Sequence, residues 1–153
     1  MKFLDPRARA NLKLSDYLCF AVYSANLAFR KAYKPILDVL GVTYTQYITI
    51  VALWEVDNQT VSGLGEKLFL ESNTLTPMLK KLEVMGYVKR QRDTEDERQV
   101  RILLTKSGRC LCEKALKTNL SEVAGVAPDR FDKVQKAIVA LRNDRIRLVN
   151  HGQ

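Results

Sequence analysis

Histidine is almost absent from this 153-residue chain, and cysteine is rare. The one histidine, His151, is the third residue from the end of the chain, which argues against Ser-His-Asp, Cys-His and histidine–metal chemistry. The three cysteines, Cys19, Cys110 and Cys112, contain no CxxC pair, so neither a zinc site nor a thioredoxin-like centre is expected. We therefore predict that the protein is not an enzyme and that it holds no metal and no other cofactor.

Long apolar runs are also missing. No run approaches the ~18 residues of a membrane span, and the first residues lack the apolar stretch of a signal peptide. With 46% hydrophobic and 27% charged residues, the composition is that of an ordinary globular protein. A chain of this length buries a core without disulfides or metal. These features predict a cytoplasmic protein with no membrane partner.

Basic residues outnumber acidic ones, so that the formal net charge is +8 and the isoelectric point is about 9.5. Such an excess indicates a polyanionic partner. It is spread along the chain and does not by itself locate a binding face. The densest basic cluster has Glu83 as its single acidic neighbour and consists of Lys80, Lys81, Lys89, Arg90 and Arg92.

The first half of the chain has the spacing of helices. A first helix is predicted from about Ser15 to Lys34, where Pro35 discourages continuation, and Gly41 follows in a loop. Thr43 and Gln46 match a capping box, which predicts a second helix through about Val56. Its predicted apolar side consists of Tyr47, Ile50, Val51 and Trp54.

Two short helices and a hairpin are predicted next. Ser62 is a plausible N-cap for a helix ending near Leu70, after a turn at residues 57–59, and Ser72 for a helix over Asn73–Met85 that Gly86 terminates. The strand-like runs Tyr87–Arg92 and Arg98–Leu104 are joined by a polar turn. Thr105 and Ser107 start a long helix, and Pro128 starts the last one. This order predicts a mainly α fold with a winged helix-turn-helix at residues 43–104.

The second helix of such a motif fits the major groove of DNA, and its N-terminal side chains reach base edges. Leu75, Leu79 and Leu82 are predicted to hold this helix to the core. The predicted DNA-contacting residues are Ser72, Asn73, Thr74, Thr76 and Pro77 at its start, Lys80 and Lys81 for backbone phosphates, and Arg92 and Arg98 on the hairpin. The alternative is a small helical domain whose charges are only solvated.

Cys19 lies in the apolar segment Leu18–Ala21, where a cysteine is commonly a small core residue. Four tyrosines follow it within the next thirty residues: Tyr23, Tyr33, Tyr44 and Tyr47. A phenol can hydrogen-bond and stabilise a thiolate, so a reactive thiol is the second interpretation. The tyrosines alternatively pack in a core or an interface.

The sequence resembles the MarR family of winged-helix regulators, and within it the OhrR branch of organic hydroperoxide sensors. The resemblance extends from Leu18 to about Leu148. It is carried by LeuCysPheAlaValTyr at 18–23, TyrLysProIleLeu at 33–37, ThrTyrThrGlnTyr at 43–47, LeuTrpGlu at 53–55, SerAsnThrLeuThrProMetLeuLysLysLeuGlu at 72–83 and AspGluArg at 96–98.

The resemblance implies a homodimeric repressor that binds double-stranded DNA when reduced and leaves it when an organic hydroperoxide oxidises Cys19. Tyr33 and Tyr44 match the tyrosines that bond this cysteine. Arg98 matches a wing arginine that enters the minor groove, with Asp96 as its orienting partner. Residues 12–40 and 105–153 would form the dimerisation helices, and a two-fold dimer prefers a pseudo-palindromic operator.

The sequence leaves open which thiol resolves oxidised Cys19. The candidates are Cys110, Cys112 and a small cellular thiol. Two alternatives to the sensor also stand. One is a MarR-type repressor that responds to a small aromatic ligand, with Cys19 incidental, and the other is a thiol peroxidase.

A length argument adds a prediction that is independent of the resemblance. Cys19 and Tyr33 are 14 residues apart, which on one continuous helix separates them by roughly 21 Å at ~1.5 Å per residue. If both residues serve one site, Tyr33 must come from a second subunit.

Overall fold

The computed structural model describes residues 13–117, 123 and 125–150. The chain divides into two compact units, Met1–Leu120 and Ser121–Gln153. The first contains a 3-10 turn, Leu14–Asp16, and then α1 Leu18–Leu40, α2 Tyr44–Glu55, β1 Gln59–Thr60, α3 Val61–Leu68, α4 Ser72–Val84, β2 Val88–Arg92, β3 Val100–Leu104 and α5 Lys106–Leu116. The second contains α6 Pro128–Asn150.

Helix α1 is longer than the sequence predicts, because it runs through Pro35 instead of ending before it. Proline removes one main-chain donor from a helix, but Pro35 is exposed, so water can bond the carbonyl that loses its donor. The helix ends at Gly41, whose left-handed φ of 70° favours glycine. The amide of Val42 then donates to the Leu37 carbonyl at 3.1 Å.

Helix α2 begins with the predicted capping box. The amide of Gln46 donates to Thr43 Oγ1 at 3.3 Å, and the amide of Thr43 donates to Gln46 Oε1 at 2.8 Å. The prediction of its apolar side is partly wrong, because Val51 and Trp54 are each 38% exposed. Leu53 takes their place in the core beside Tyr47 and Ile50.

The helix-turn-helix has the predicted order but different boundaries. Gln59 and Thr60 form strand β1 instead of only a turn, and Thr60 replaces Ser62 as the cap of α3. The amide of Gly63 donates to Thr60 Oγ1 at 3.0 Å. Glu71, and not Ser72, is the cap residue of α4, which ends at Val84. Strand β1, and with it the start of α3 at Val61, depends on pairing with β3, which is distant in the sequence.

The predicted hairpin is confirmed, and it gains a third strand. All three strands are antiparallel in the order β1-β3-β2, with Arg90 opposite Ile102 and Gln59 opposite Ile102 on the other edge. Thr105 caps α5, because its Oγ1 accepts from the amide of Gly108 at 3.1 Å. A side chain at Gly108 would collide with the Tyr87 carbonyl and with Leu104, so α5 packs closely against the sheet.

The core of the first unit joins α2, the helix-turn-helix and the sheet. Its innermost side chains are Ile50, Leu53, Leu64, Leu75, Leu79, Leu82 and Ile102, each 0% exposed. This core fixes α4 and the hairpin relative to each other, and these are the two elements from which a winged helix reads DNA.

Helix α6 starts at Pro128 as the sequence predicts. Phe131, Ile138 and Leu148 on its predicted apolar side are exposed in the single chain, whereas Val134 and Leu141 are half-buried. Among the described residues, none of the helices alone is long and apolar enough to cross a membrane. Only α1 and α2 taken together meet that test of length and composition, and the chain bends by 73° between them.

Candidate DNA-binding surface and cysteine site

Helix α4 has a buried side and an exposed side. Leu75, Leu79 and Leu82 are completely buried, as their spacing predicts, and they fix the rotation of the helix about its axis. The predicted DNA-contacting residues therefore lie on or near the outer surface. Ser72, Asn73, Thr74, Pro77, Lys80 and Lys81 are exposed, and Thr76 is half-buried. This arrangement presents short polar groups at the start of the helix and two cations one turn later.

The hairpin connection between β2 and β3 forms the wing, and both predicted arginines, Arg92 and Arg98, are exposed on it. The predicted brace by Asp96 takes a different form. Asp96 Oδ1 accepts from the main-chain amide of Arg98 at 3.0 Å, and Oδ2 accepts from Gln99 Nε2 at 3.2 Å. Asp96 thus holds the backbone that carries Arg98, and the Arg98 side chain is exposed.

A second brace in the wing was missed in the sequence. Asp93 is 7% exposed and is ion-paired with Arg101 Nε. Arg101 Nη1 donates to the Asn58 carbonyl at 3.0 Å. The amide of Glu95 donates to Asp93 Oδ1 at 2.9 Å, and this bond, followed by Arg101, lowers the pKa of the Asp93 carboxyl. The hairpin register could have predicted this pair. It places Gln91 opposite Arg101, so Asp93, two residues further along, is a diagonal neighbour of Arg101.

Helix α4 and the wing are also joined directly. Glu83 at the end of α4 accepts from the main-chain amide of Arg90 on β2 at 3.1 Å, and its carboxylate lies 3.8 Å from the Arg90 guanidinium. The basic cluster of residues 80–92 is therefore divided between structural and exposed members. Arg90 is partly buried, whereas Lys80, Lys81, Lys89 and Arg92 face solvent.

Cys19 lies at the start of α1 and is exposed in the single chain. Together with Leu14, Tyr17, Phe20 and Tyr23 it lines an open, apolar hollow of about 400 Å³. Several neighbours are large exposed hydrophobic residues, including Leu14 at 61% and Leu18 at 62%. A surface of this kind is typical of a region that another chain covers.

Tyr33 and Tyr44 are in contact with each other, with ring centroids 5.6 Å apart in an edge-to-face arrangement. Burial, and then Tyr44, raises the pKa of Tyr33. Tyr47 lies nearby, and burial, with smaller contributions from Cys112, Tyr33 and Tyr44, raises its pKa as well. Tyr33 and Tyr47 therefore remain protonated at neutral pH, and a protonated phenol is a hydrogen-bond donor.

The structure does not bring Cys19 to these tyrosines within one chain. Helix α1 is continuous over Leu18–Leu40, so the separation of roughly 21 Å between Cys19 and Tyr33 applies at ~1.5 Å per residue. Cys19 and Tyr33 therefore lie at different levels of α1, and Tyr44 contacts Tyr33 from the start of α2.

The other two cysteines have unlike surroundings. Cys112 is 3% exposed, and burial raises the pKa of its thiol to about 11. Cys110 is exposed and borders a cleft with Tyr87 and Ser107. Among the residues that the structure describes, no cluster of histidine, cysteine or carboxylate side chains is arranged to hold a metal ion.

The fold and the exposed face of α4 beside a wing define the class of protein as a winged-helix, DNA-binding transcriptional regulator. The profile of the family described as transcriptional regulator SarA/Rot matches residues 31–115. The chain belongs to this MarR-like family of regulators.

Individual relatives agree with this assignment. The organic hydroperoxide resistance transcriptional regulator of Bacillus subtilis is 48% identical over 106 residues, which is 69% of this chain and 72% of that protein. Reduced AbfR bound to DNA superposes with a TM-score of 0.76 at 34% identity, covering 93% of this chain and 99% of that one. AbfR is a Staphylococcus epidermidis protein.

AbfR has also been solved in an overoxidised form bound to DNA, with a TM-score of 0.70 at 36% identity over 90% of this chain and 98% of that one. The apo form of MarR from E. coli shows the same fold, with a TM-score of 0.67 at 21% identity over 82% of this chain and 96% of that one. The predictions of a MarR-like regulator and a winged-helix fold are thereby confirmed.

Proposed function

We propose that this protein is a cytoplasmic repressor that binds operator DNA as a reduced homodimer and leaves it when an organic hydroperoxide oxidises Cys19. The observation that carries the proposal is the separation of Cys19 from the Tyr33–Tyr44 pair along one unbroken helix. In a dimer, Cys19 of each chain would meet Tyr33 and Tyr44 of the other chain, which gives two sensing sites at one interface. The relation to a hydroperoxide resistance regulator supports the same chemistry.

The reaction at Cys19 balances without a cofactor. The thiolate sulfur attacks the terminal oxygen of the hydroperoxide, which carries the hydrogen, so that an S–O bond forms and the O–O bond breaks. The sulfur is oxidised by two electrons and the peroxide is reduced to an alkoxide, which takes a proton from water and leaves as an alcohol. Cys19 ends as a sulfenic acid, which a small thiol can convert to a mixed disulfide with loss of water.

The tyrosines of the second chain would act on the thiolate. Hydrogen bonds to a charged group are worth about 1.5–3 kcal/mol each, so two phenols can favour the anion considerably. Oxidation replaces this bonded anion with a larger neutral group. A change of volume and hydrogen bonding at an interface can rotate one DNA-reading lobe against the other.

On DNA, the start of α4 would enter the major groove, with Ser72, Asn73, Thr74, Thr76 and Pro77 facing base edges and phosphates. Lys80, Lys81 and Arg92 would neutralise phosphates, and Arg98, held by Asp96, would enter the minor groove. The dimer would be formed by residues 12–40 and 105–153, and the operator would be pseudo-palindromic.

The test is a DNA-binding titration of the reduced protein with and without cumene hydroperoxide. Wild type should release its operator on oxidation, whereas Cys19→Ser should bind with similar affinity and stay bound. Cys110→Ser is the matched control and should respond as wild type does. Peroxide-induced release from Cys19→Ser would overturn the proposal.

A second part of this experiment identifies the oxidation product of Cys19. Overoxidised AbfR has been solved bound to DNA, so the oxidation product of Cys19 that accompanies release has to be identified. We expect release to be more complete when a small thiol is present, since the mixed disulfide is bulkier than the sulfenic acid. Mass spectrometry of the Cys19 peptide identifies the species that accompanies release.

A further inference from the structure

The connection between α2 and β1 contains Asp57, whose side chain joins three elements. Asp57 Oδ1 accepts from the main-chain amide of Leu104 at 2.8 Å, and Oδ2 is ion-paired with Arg109 Nη2. Leu104 is the last residue of β3, and Arg109 lies in the first turn of α5. One carboxylate therefore holds the end of β3 and the start of α5 to the residues that follow α2.

Asp57 takes the place of a strand partner at the end of β1. In the pairing of β1 with β3, Gln59 lies opposite Ile102, so position 57 falls opposite Leu104. The main chain leaves the ladder before that point, because Asn58 has a left-handed φ of 56°, which asparagine tolerates better than most residues. The Asp57 side chain accepts the bond instead, and its charge adds the pairing with α5.

The same connection is bonded to the wing. The carbonyl of Asn58 accepts from Arg101 Nη1 at 3.0 Å, and Arg101 Nε is ion-paired with Asp93. Asp93 Oδ1 in turn accepts from the amide of Glu95 at 2.9 Å. A continuous line of bonds thus runs from α5, through the residues after α2, to the wing tip that carries Arg98.

We propose that Asp57 and Arg109 are positioning residues for DNA binding, which set the place of Arg98 through this line of bonds. The inference rests on the proposed function, because it requires Arg98 to contact DNA and α5 to belong to the dimer contact. The two wings of a dimer must meet two operator half-sites at a fixed spacing. A bond between α5 and the wing therefore bears on affinity, whereas an isolated surface ion pair does not.

The experiment measures DNA affinity of the full-length reduced protein by fluorescence anisotropy. The probe is the duplex that wild type selects from a random-sequence pool, with A·T-rich or G·C-rich flanks. The test variants are Arg109→Met and Asp57→Asn, each alone and combined with Arg98→Ala. Asp57→Asn keeps an acceptor for the amides and removes the charge. Lys106→Met, which removes an exposed cation from the same turn of α5, is the matched control, and thermal unfolding verifies that every variant is folded.

Arg109→Met and Asp57→Asn should each weaken binding by roughly three- to tenfold, as expected for members of one hydrogen-bonded network. Both should also reduce the preference for A·T-rich flanks, and Arg109→Lys should restore most of the affinity. Neither change should weaken binding further when Arg98 is already alanine, because the group that they position is then absent.

The inference is overturned if the losses add to that of Arg98→Ala, since Arg109 would then act on DNA or on stability independently of the wing. It is equally overturned if Lys106→Met matches Arg109→Met, or if both test variants bind as wild type while Arg98→Ala is weakened. Wild-type affinity of Arg98→Ala would instead refute the wing contact of the proposed function, and this inference with it.

Discussion

At the scale of single residues, burial separates three thiols that the sequence presents as equivalent. Cys112 is enclosed in the core, and burial raises the pKa of its thiol to about 11. Cys19 and Cys110 are exposed in the single chain. The thiolate is the reactive form of cysteine. Cys112 is therefore unreactive for two reasons: its thiol stays protonated, and the surrounding core blocks access to it. This difference bears on which cysteine can resolve oxidised Cys19.

We predict that iodoacetamide at pH 8 labels Cys110 and leaves Cys112 unlabelled in the folded protein. At about three pH units below its pKa, roughly one Cys112 in a thousand is a thiolate, and the core hinders access as well. Peptide mass spectrometry after a timed reaction measures both sites. The denatured protein is the control, because unfolding restores an ordinary thiol pKa and all cysteines should then react.

Equal labelling of Cys110 and Cys112 in the folded state would contradict this reading of the core. The pH dependence has a definite sign. Since the folded pKa is raised above the ordinary value of 9.0, labelling of Cys112 should increase as the pH rises from 9 towards 11.

At the scale of elements, the wing is a strand pair with a tip held by carboxylates. Asp93 binds Arg101 and the amide of Glu95, and Asp96 binds the amide of Arg98. These bonds account for the aspartates in the acidic tip of the wing, residues 93–97, where contact with DNA is expected. The carboxylates of Asp93 and Asp96 are bonded within the wing itself, and Arg98 is exposed beside them. The alternative is that Arg98 is only a solvated surface charge.

We predict that Arg98→Ala weakens operator binding by about 1–3 kcal/mol and lowers the salt slope of binding by about one unit. It should also relax any preference for A·T-rich flanks, because a narrow minor groove attracts arginine. Fluorescence anisotropy across a series of salt concentrations measures both quantities. Thr94→Ala, an uncharged exposed change at the same tip, is the control.

Asp96→Ala should act in the same direction but more weakly, since it loosens the backbone that presents Arg98 without removing the cation. An affinity and a salt slope equal to those of wild type in Arg98→Ala would show that the wing tip is solvated surface.

At the scale of the whole molecule, the single chain exposes an apolar surface along the first half of α1. Val22 and Tyr23 are 44% and 59% exposed, beside Leu14 and Leu18. Burial of apolar area is worth roughly 25 cal/mol per Å², so a second chain would find a favourable surface here. The same surface contains Cys19, so this cysteine would lie where two chains meet.

We predict that the sensing site is completed between chains. A Tyr33→Phe/Tyr44→Phe homodimer should oxidise Cys19 more slowly than wild type, by about tenfold or more for the loss of hydrogen bonds to a charged group. A heterodimer of this variant with Cys19→Ser should contain one site with a wild-type cysteine and wild-type tyrosines. Its remaining Cys19 should react at the wild-type rate, which rapid-quench mass spectrometry measures.

The two homodimers are the controls for the heterodimer, together with sedimentation analysis to verify its composition. If Cys19 of the heterodimer reacts as slowly as that of the tyrosine variant, Cys19 depends on the tyrosines of its own chain. The sensing site would then not be formed between two chains.

The sequence by itself determined those features that depend on near neighbours. The Thr43–Gln46 capping box, the Leu75–Leu79–Leu82 spacing and the start of α6 at Pro128 are satisfied within one turn or a few turns of helix. The order of helices and hairpin, and with it the winged-helix fold, follows from such local signals, whereas the family was indicated by the resemblance of the motifs between residues 18 and 98. The positions of Ser72, Asn73 and Lys80 on the outer face of α4 follow from the buried leucines.

Tertiary structure decided what depends on distant parts of the chain. Strand β1 exists because Gln59 and Thr60 pair with β3 more than forty residues later, and the Asp93–Arg101 pair requires the same sheet. The burial of Cys112 but not Cys110 arises from packing between helices. Leucine spacing predicts which face of α4 is buried, but the burial of a single cysteine depends on neighbours from distant elements of the assembled core, so no local pattern separates Cys112 from Cys110.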